Sequence, residues 1–261
     1  MSYVLEHPAE FERLERQSTL PAYDYQRELE DIKVEDGATI LDAGCGSGIV
    51  SRYLASRFPW ATVLGCDYSA PLLREANARS QGIGNIAFEE ANLLQLSLGG
   101  GRFDLIVSRF VFHHQSAERQ EKILSELVRV LKPGGRIVVI DVDGIILNLH
   151  PQTPRVSEGL QRLAAAEDID LFVGRKLPHL FSKSRLGSIL WKIEIIEFKG
   201  EARRAEVEQM RERFTNASGF FERVIGGGEI WRCFQREYLE CLSAPNSVSF
   251  FNKFIASAIK L

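Results

Sequence analysis

The chain has 261 residues, 45% of them hydrophobic and 26% charged, with a formal net charge of −3. That length and composition describe an ordinary globular protein able to bury a substantial core. The mild acidity excludes a protein held to nucleic acid by bulk electrostatics and leaves open only a local basic patch.

The amino-terminal stretch MSYVLEHPAEFERLERQ contains no apolar signal-peptide core. No apolar run approaches the ~20 residues that span a bilayer. Cys45, Cys66, Cys233 and Cys241 form no CxxC pair and suggest neither a zinc site nor a disulfide framework. The expectation is a cytoplasmic protein with reduced thiols and no membrane contact.

From about residue 38 to 144 strand and helix signals alternate. ATILDAG is an apolar run closed by glycine. GIVSRYLASRF places Ile49, Tyr53, Leu54 and Phe58 near helical spacing. ATVLGCD is the next strand, and Ser69 is expected to cap a helix over APLLREANARS, with Pro71 in its first turn. NIAFEEAN and FDLIVSRFVF read as the third and fourth strands. SAERQEKILSELVRVLKPGG puts Ile123, Leu124, Leu127, Val128 and Leu131 on one helical face, to be stopped by Pro133 and the two glycines, and RIVVIDVDG is the fifth strand.

Beyond the fifth strand VSEGLQRLAAAEDID looks helical and WKIEIIEFKG alternates as a strand. EARRAEVEQMRERF reads as a charged helix with a solvated face. EIWRCFQREYLECL sets Trp231, Phe234, Tyr238 and Cys241 on a common face, and SVSFFNKFIASAIKL closes the chain as a last strand.

Continuous β-branched runs alternating with helices require a parallel sheet covered on both faces. Ligands of such sheets sit at the carboxyl ends of the strands, near the point where the strand order reverses. That brings AGCGSG, CDYS, EANLL and SRFVFHH to one rim.

In LDAGCGSG three glycines fall at 44, 46 and 48. Glycine at a strand-to-helix turn permits positive φ and close approach of a ligand. The dinucleotide fingerprint G-x-G-x-x-G is not met, because Ile49 stands where its third glycine belongs, and no Walker lysine follows. Asp67, ending the next strand, suits paired ribose hydroxyls, which can both donate to a carboxylate. The ligand read from these residues is a nucleoside. Asn92, ending the third strand, offers an acceptor to an adenine amino group.

Taken together, LDAGCGSG, the acid ending the next strand, ANLLQLSL, FDLIVSRFVFHH and ELVRVLKPGGRIVVID resemble the class I S-adenosylmethionine-dependent methyltransferases. The resemblance is to their small-molecule branch, which includes ubiquinone- and menaquinone-pathway enzymes. It covers roughly residues 38 to 142, with VGRKLPHLF as a weaker echo.

It implies a Rossmann-like, doubly wound, mostly parallel seven-stranded sheet in a single methyltransferase domain over residues 1–261. Residues 1–37 would form an amino-terminal lid, 38–144 the cofactor core, 145–242 a substrate cover with the sixth strand, and 243–261 the last strand. It further implies S-adenosylmethionine as cofactor and S-adenosylhomocysteine as product. Asp42, Gly44, Cys45, Gly46 and Gly48 would lie beside the methionine moiety, Asp42 through its amine. Asp67 would hold the ribose, Tyr68 would stack near the adenine, and Asn92 and Leu93 would face its edge. Asn92 stands where the family usually has an acid, so the charge is lost and an acceptor remains. Arg109 would flank the cofactor, and Arg13 or Arg16 of EFERLERQ would pair its carboxylate.

His113 and His114 follow the fourth strand near where a methyl group would leave sulfur. One is a candidate general base, against the blander reading that both pack or cap the loop. Asp141 and Asp143 end the fifth strand on the same rim. No carboxylate ends the fourth strand to complete an oxygen-rich site, so no metal is expected. Cys45 and Cys66 read as small buried fillers.

The expected function is methyl transfer to an O, N or C atom of a small molecule bound in a mostly apolar pocket with few charges, by a monomer or homodimer. A non-enzymatic nucleoside-binding regulator of the same fold stays open. A nucleic-acid methyltransferase is disfavoured, since SRFVFHH replaces the [DNS]-P-P-[FYW] turn and brings no nucleophilic cysteine. A nicotinamide dehydrogenase fails on glycine spacing.

Overall fold

The computed structural model describes residues 10–261; residues 1–9 of the expected lid lie outside them. The chain enters through two helices, α1 (Glu10–Ser18) and α2 (Tyr25–Glu28). Strands β1 (Thr39–Ala43), β2 (Thr62–Asp67), β3 (Ile86–Glu90), β4 (Phe103–Arg109) and β5 (Leu131–Asp143) follow, with α3 (Ile49–Arg57), α4 (Ala70–Arg79) and α5 (Ala117–Val130) between them. Then come β6 (Leu149–His150), α6 (Pro154–Ala164), α7 (Leu177–Ser182), β7 (Leu186–Glu197), α8 (Gly200–Asn216), α9 (Ser218–Ile225), α10 (Glu229–Ser243) and β8 (Val248–Lys260).

The sheet runs β3-β2-β1-β4-β5-β8, parallel through β5 and antiparallel between β5 and β8. Strand β7 pairs antiparallel along the far edge of β8, from Leu186 opposite Lys260 to Glu197 opposite Phe250. The seven expected strands are therefore present. An eighth, the two-residue β6, takes up the edge of β8 that β5 leaves at Asp143, pairing Leu149 with Ser249. Two residues carry no periodicity, which is why the sequence did not show it.

Strand order reverses between β1 and β4, so the crossover helices diverge there and open a crevice at the strand ends. Ile40, Leu41, Ala43, Ile106, Val107, Ile137 and Val139 are fully buried, as a sheet covered on both faces demands. On one face α5 seats Ile123, Leu124, Leu127 and Val128. On the other, α3 buries Val50, Leu54 and Ala55, while Ile49 and Tyr53 only flank that core. The buried stripe of α3 is thus turned by one residue from the expected face.

Three local expectations change. Helix α5 ends at Val130, because Leu131 is already extended (φ −71°, ψ 139°) and pairs with Phe103; Pro133 and its glycines lie beyond the stop. Ser69 occupies the N-cap of α4 without a side-chain cap bond; its N–H instead donates to Asp67. Third, α8 is not a solvated run: Glu206, Val207, Gln209, Met210, Arg213 and Phe214 are buried. Its charges disguise an inward face that matters below.

The aromatics of the cover largely hold one another. Phe214 meets Phe221, Trp231 and Tyr238 edge-on at 5.0–5.3 Å, and Trp231 stacks on Phe221. Such pairs contribute about 0.5–1.5 kcal/mol each beyond area burial. Among the described residues no helix is long and apolar enough to cross a membrane.

Candidate active site

The turn after β1 is built by the backbone itself. Gly44 and Cys45 donate their N–H groups to Cys66 O at 2.8 and 3.0 Å, and Gly46 donates to Asp67 Oδ2 at 2.9 Å. Gly44, Gly46 and Gly48 have φ of 78°, 54° and 73°, the left-handed region that glycine enters without strain. What crowds them differs. A Cβ on Gly44 would lie 2.4 Å from Val111 Cγ2, whereas on Gly46 it would only touch Leu14 of α1 at 3.3 Å.

On Gly48 a Cβ would sit 2.7 Å from the Phe88 ring and 3.0 Å from the Ala76 Cβ. Gly48 therefore answers to helix–sheet packing and does not line the cavity; its expected place beside a ligand is corrected. Gly48→Ala should combine left-handed strain of ~1–2 kcal/mol with overpacking of ~1–3 kcal/mol. At about 2–4 °C per kcal/mol, a melting curve should fall by roughly 4–20 °C. Gly82→Ala, with φ of 88° and open space around it, should show the backbone part alone. Equal melting of the two variants would remove the packing role.

A cavity of about 1220 Å³ lies over this turn. Asp42, Gly44, Cys45, Gly46, Asp67, Tyr68, Asn92, Leu93, Arg109, His113, His114 and Arg13 line it. Arg16 does not: its side chain is 53% exposed and pairs with Glu212 of α8 at 2.8 Å.

Asp42 is buried and accepts from Ser51 Oγ at 2.5 Å. Burial, opposed by the Ser51 bond and aided by the Asp67 charge, pushes its carboxyl up to about 6. Asp67 accepts from Ser69 N and Gly46 N, each at 2.9 Å, and burial raises its pKa too. Tyr68 is 39% exposed at the rim. Asn92 Oδ1 accepts from Leu94 N at 3.0 Å, so the acceptor that the sequence offered to adenine already serves a local turn, with one lone pair remaining. Cys45 and Cys66 are buried; desolvation pushes the Cys66 thiol up to about 12, which leaves it inert.

Arg109 is turned toward the entry helices. Its Nε and Nη2 donate to Glu28 at 2.5 and 3.1 Å, and Nη2 also to Tyr23 O at 2.8 Å. Glu28 in turn receives Lys253 Nζ at 2.8 Å, and Lys253 reaches Glu194 at 3.1 Å. This buried network fastens the entry segment to β4, β7 and β8. Arg109 borders the cavity with its main donors committed.

Where β4 ends, the chain turns through Phe112–His114 above the end of β5. Asp141, fully buried, accepts from Phe112 N (2.8 Å), His113 N (3.3 Å) and Val142 N (2.8 Å). Its Oδ1 lies 2.7 Å from His113 Nδ1. With the carboxylate oxygen accepting from the ring, Nδ1 carries the proton and Nε2 is left as the nitrogen with a free lone pair. The His114 ring lies 3.8 Å from that of His113. Burial first, then the charges of His113, Arg13 and Arg213, hold His114 well below the usual imidazole range, so it is neutral. Asp143 is taken by Arg175 in two bonds of 2.6 Å.

Sequence reasoning missed Arg213, Tyr23 and the pairing of Asp141 with His113. Arg213 lies inside the charge run, and only the hydrophobic positions around it, Val207, Met210 and Phe214, mark that face as buried. Of the cover aromatics the cavity meets Phe220 and Phe221, whereas Trp231, Phe234 and Tyr238 of the common α10 face do not line it.

A sheet in this order, with a glycine turn, an acid at the end of β2 and a cavity over the strand reversal, is the architecture of the class I methyltransferases. Residues 40–135 match the methyltransferase domain family. The chain is 36% identical over 119 residues to a demethylmenaquinone methyltransferase of Thermus thermophilus, covering 45% of this chain and 53% of that one. It is 35% identical over 133 residues to a trans-aconitate 2-methyltransferase of Deinococcus radiodurans, covering 51% and 48%. The chain thus spans about half the length of the curated relatives it matches. Its fold aligns over 100% of its length with 60% of Haemonchus contortus phosphoethanolamine N-methyltransferase 2, at a TM-score of 0.64 and 17% identity.

Proposed function

We propose that the chain transfers the methyl group of S-adenosylmethionine to a small-molecule acceptor. The observation that supports this most is the continuity of one cavity from the acidic glycine rim to the His113–Asp141 pair and the cover helices. Its ~1220 Å³ exceeds the roughly 300–1,000 Å³ of a pocket for one ligand, which suits two. Structures of the Haemonchus relative hold S-adenosylhomocysteine or S-adenosylmethionine. Relatives named for demethylmenaquinone and trans-aconitate favour a small acceptor.

The residues present fit that cofactor. Ionised Asp42 suits its ammonium, and Asp67 keeps lone pairs for both ribose hydroxyls. Gly46 leaves the backbone bare, Tyr68 offers a ring to the adenine, and Asn92 and Leu93 border it. Arg13, on the lid, lines the cavity but gives its Nε and Nη2 to Glu10 at 2.8 and 2.6 Å, so it meets the cofactor carboxylate only with its remaining donors. When bound, S-adenosylmethionine supplies a methyl group already activated on a sulfonium, and the chain's work is alignment and exclusion of water. Helix α1 closes the rim: Glu15 receives Arg52 of α3 in two bonds of 2.8 and 2.9 Å, and Glu12 receives Arg79 of α4. His113 Nε2 stands ready to take a proton where the nucleophile must lose one.

Calorimetry should show S-adenosylhomocysteine binding with a Kd on the order of micromolar, ~8 kcal/mol. Because Asp42 titrates near 6 and an ammonium needs its ionised form, affinity should weaken about tenfold per pH unit below that value. Heat from NADH and none from S-adenosylhomocysteine would reverse the assignment. Transfer of labelled methyl to a metabolite extract separates an enzyme from a binding regulator.

A further inference from the structure

The acceptor end of the cavity carries charge that an apolar pocket does not need. Arg213 of α8 is buried at 7% exposure and lines the cavity. Its Nη1 donates to Glu206 Oε1 at 2.9 Å and to Met210 Sδ at 3.3 Å, and its Nη2 to Tyr23 O–H at 2.7 Å. A guanidinium has five N–H donors. Among the described residues these bonds use three.

Glu206 is not part of the cavity wall. Arg213 thus stands on the cavity wall and its carboxylate partner does not. A buried ion pair is a weak stabilising device, often matched by apolar residues of the same volume. Its cost is better explained by a use at the wall.

The rest of the wall has the same sign. Among the described residues Arg119 and Arg223 lie there with Arg213, beside the acid Asp168, which Arg223 holds at 2.7 Å. The opposite end carries Asp42, Asp67 and Glu90, while its cations, Arg13 and Arg109, are held by Glu10 and Glu28. The cavity is therefore acidic where a sulfonium is expected and basic where the acceptor enters. Between the arginines the wall is apolar, from Ile145, Leu163, Ile169, Leu171, Phe220 and Phe221.

We propose that the acceptor is an amphiphilic oxyanion, a carboxylate or phosphate head on an apolar body, and that Arg213 receives the head. Guanidinium matches either head by two parallel N–H bonds, and its carboxylate partner fixes the fork in place. The acidic end repels the head, so the molecule enters in one orientation with its nucleophile toward the His113 side. This rests on the methyl-transfer reading for the meaning of the acceptor.

The experiment is calorimetry on the full chain, with and without saturating S-adenosylhomocysteine, titrating octyl phosphate, octanoate, octan-1-ol and inorganic phosphate. One or both octyl anions should bind at least tenfold tighter than octan-1-ol and than inorganic phosphate, and which of them binds tighter identifies the head. Arg213→Met with Glu206→Leu removes both charges without stranding either, and should erase the preference. Binding of S-adenosylhomocysteine by that double variant reports that it is folded; Arg213→Lys, which keeps charge but loses the fork, should retain part of the preference if the double variant fails to fold. Octan-1-ol binding as tightly as the anions, a preference surviving the double variant, inorganic phosphate matching octyl phosphate, or no probe binding at all would each overturn the proposal. Absence of heat from S-adenosylhomocysteine itself sinks the methyl-transfer reading instead, and anion selectivity can still be read from the titrations without it.

Discussion

Asp67→Ala should weaken S-adenosylhomocysteine binding about ten- to a hundredfold, since hydrogen bonds to a charged group contribute roughly 1.5–3 kcal/mol. The geometry adds a second consequence. Asp67 also receives Gly46 N and Ser69 N, so its removal frees two turn donors and should lower stability as well, by about 1–3 kcal/mol. Asp67→Asn separates the two roles. It keeps one oxygen for the turn but places an amide where the second ribose hydroxyl would donate. Its affinity should fall with a smaller change in melting temperature. If affinity is unchanged in a folded Asp67→Ala variant, the carboxylate is only a brace for the glycine turn.

That dual role bears on what the sequence could reveal. Strands β1, β2, β4 and β5 were legible because each is buried on both faces and so reads as a largely apolar run, Ile137–Ile140 most clearly, whereas the edge strand β3 is half exposed and showed itself only through Ile86 and Phe88. The glycine turn and Asp67 were legible because φ and acceptor chemistry leave few residue choices. Sequence alone could not divide the three glycines between ligand and packing, since Gly48 is made necessary by Phe88 and Ala76, residues far along the chain. Nor could it show Arg213 turned inward. Charge along a helix reports solvent only when no partner waits inside, and here Glu206, Tyr23 and Met210 do. The pocket wall is mostly apolar as expected, but it carries more charge than the expected few for that reason. Asp141 was weighed as a metal ligand because its partner, His113, sits on a different strand end.

His113→Ala should have the larger effect on turnover. A positioned base contributes about 10²–10⁴-fold where a proton must leave the nucleophile. The loss should appear in kcat, measured at saturating cofactor, with KM little changed. Asp141→Asn tests the orientation. Its amide would face His113 Nδ1 with a donor and drive the proton to Nε2, the wrong nitrogen for a base. It also strands backbone donors at Phe112, His113 or Val142, at about 1–3 kcal/mol each. The turn should therefore loosen and melting fall in Asp141→Asn but much less in His113→Ala, whose side chain makes one bond to that acid. His114, held neutral by burial and the neighbouring cations, donates or accepts at the wall without changing charge, so His114→Gln should leave the pH profile in shape. A His113→Ala enzyme within tenfold of the parent kcat would show that the acceptor atom reacts without losing a proton to this ring. The His113–Asp141 pair would then be a structural clasp between the ends of β4 and β5.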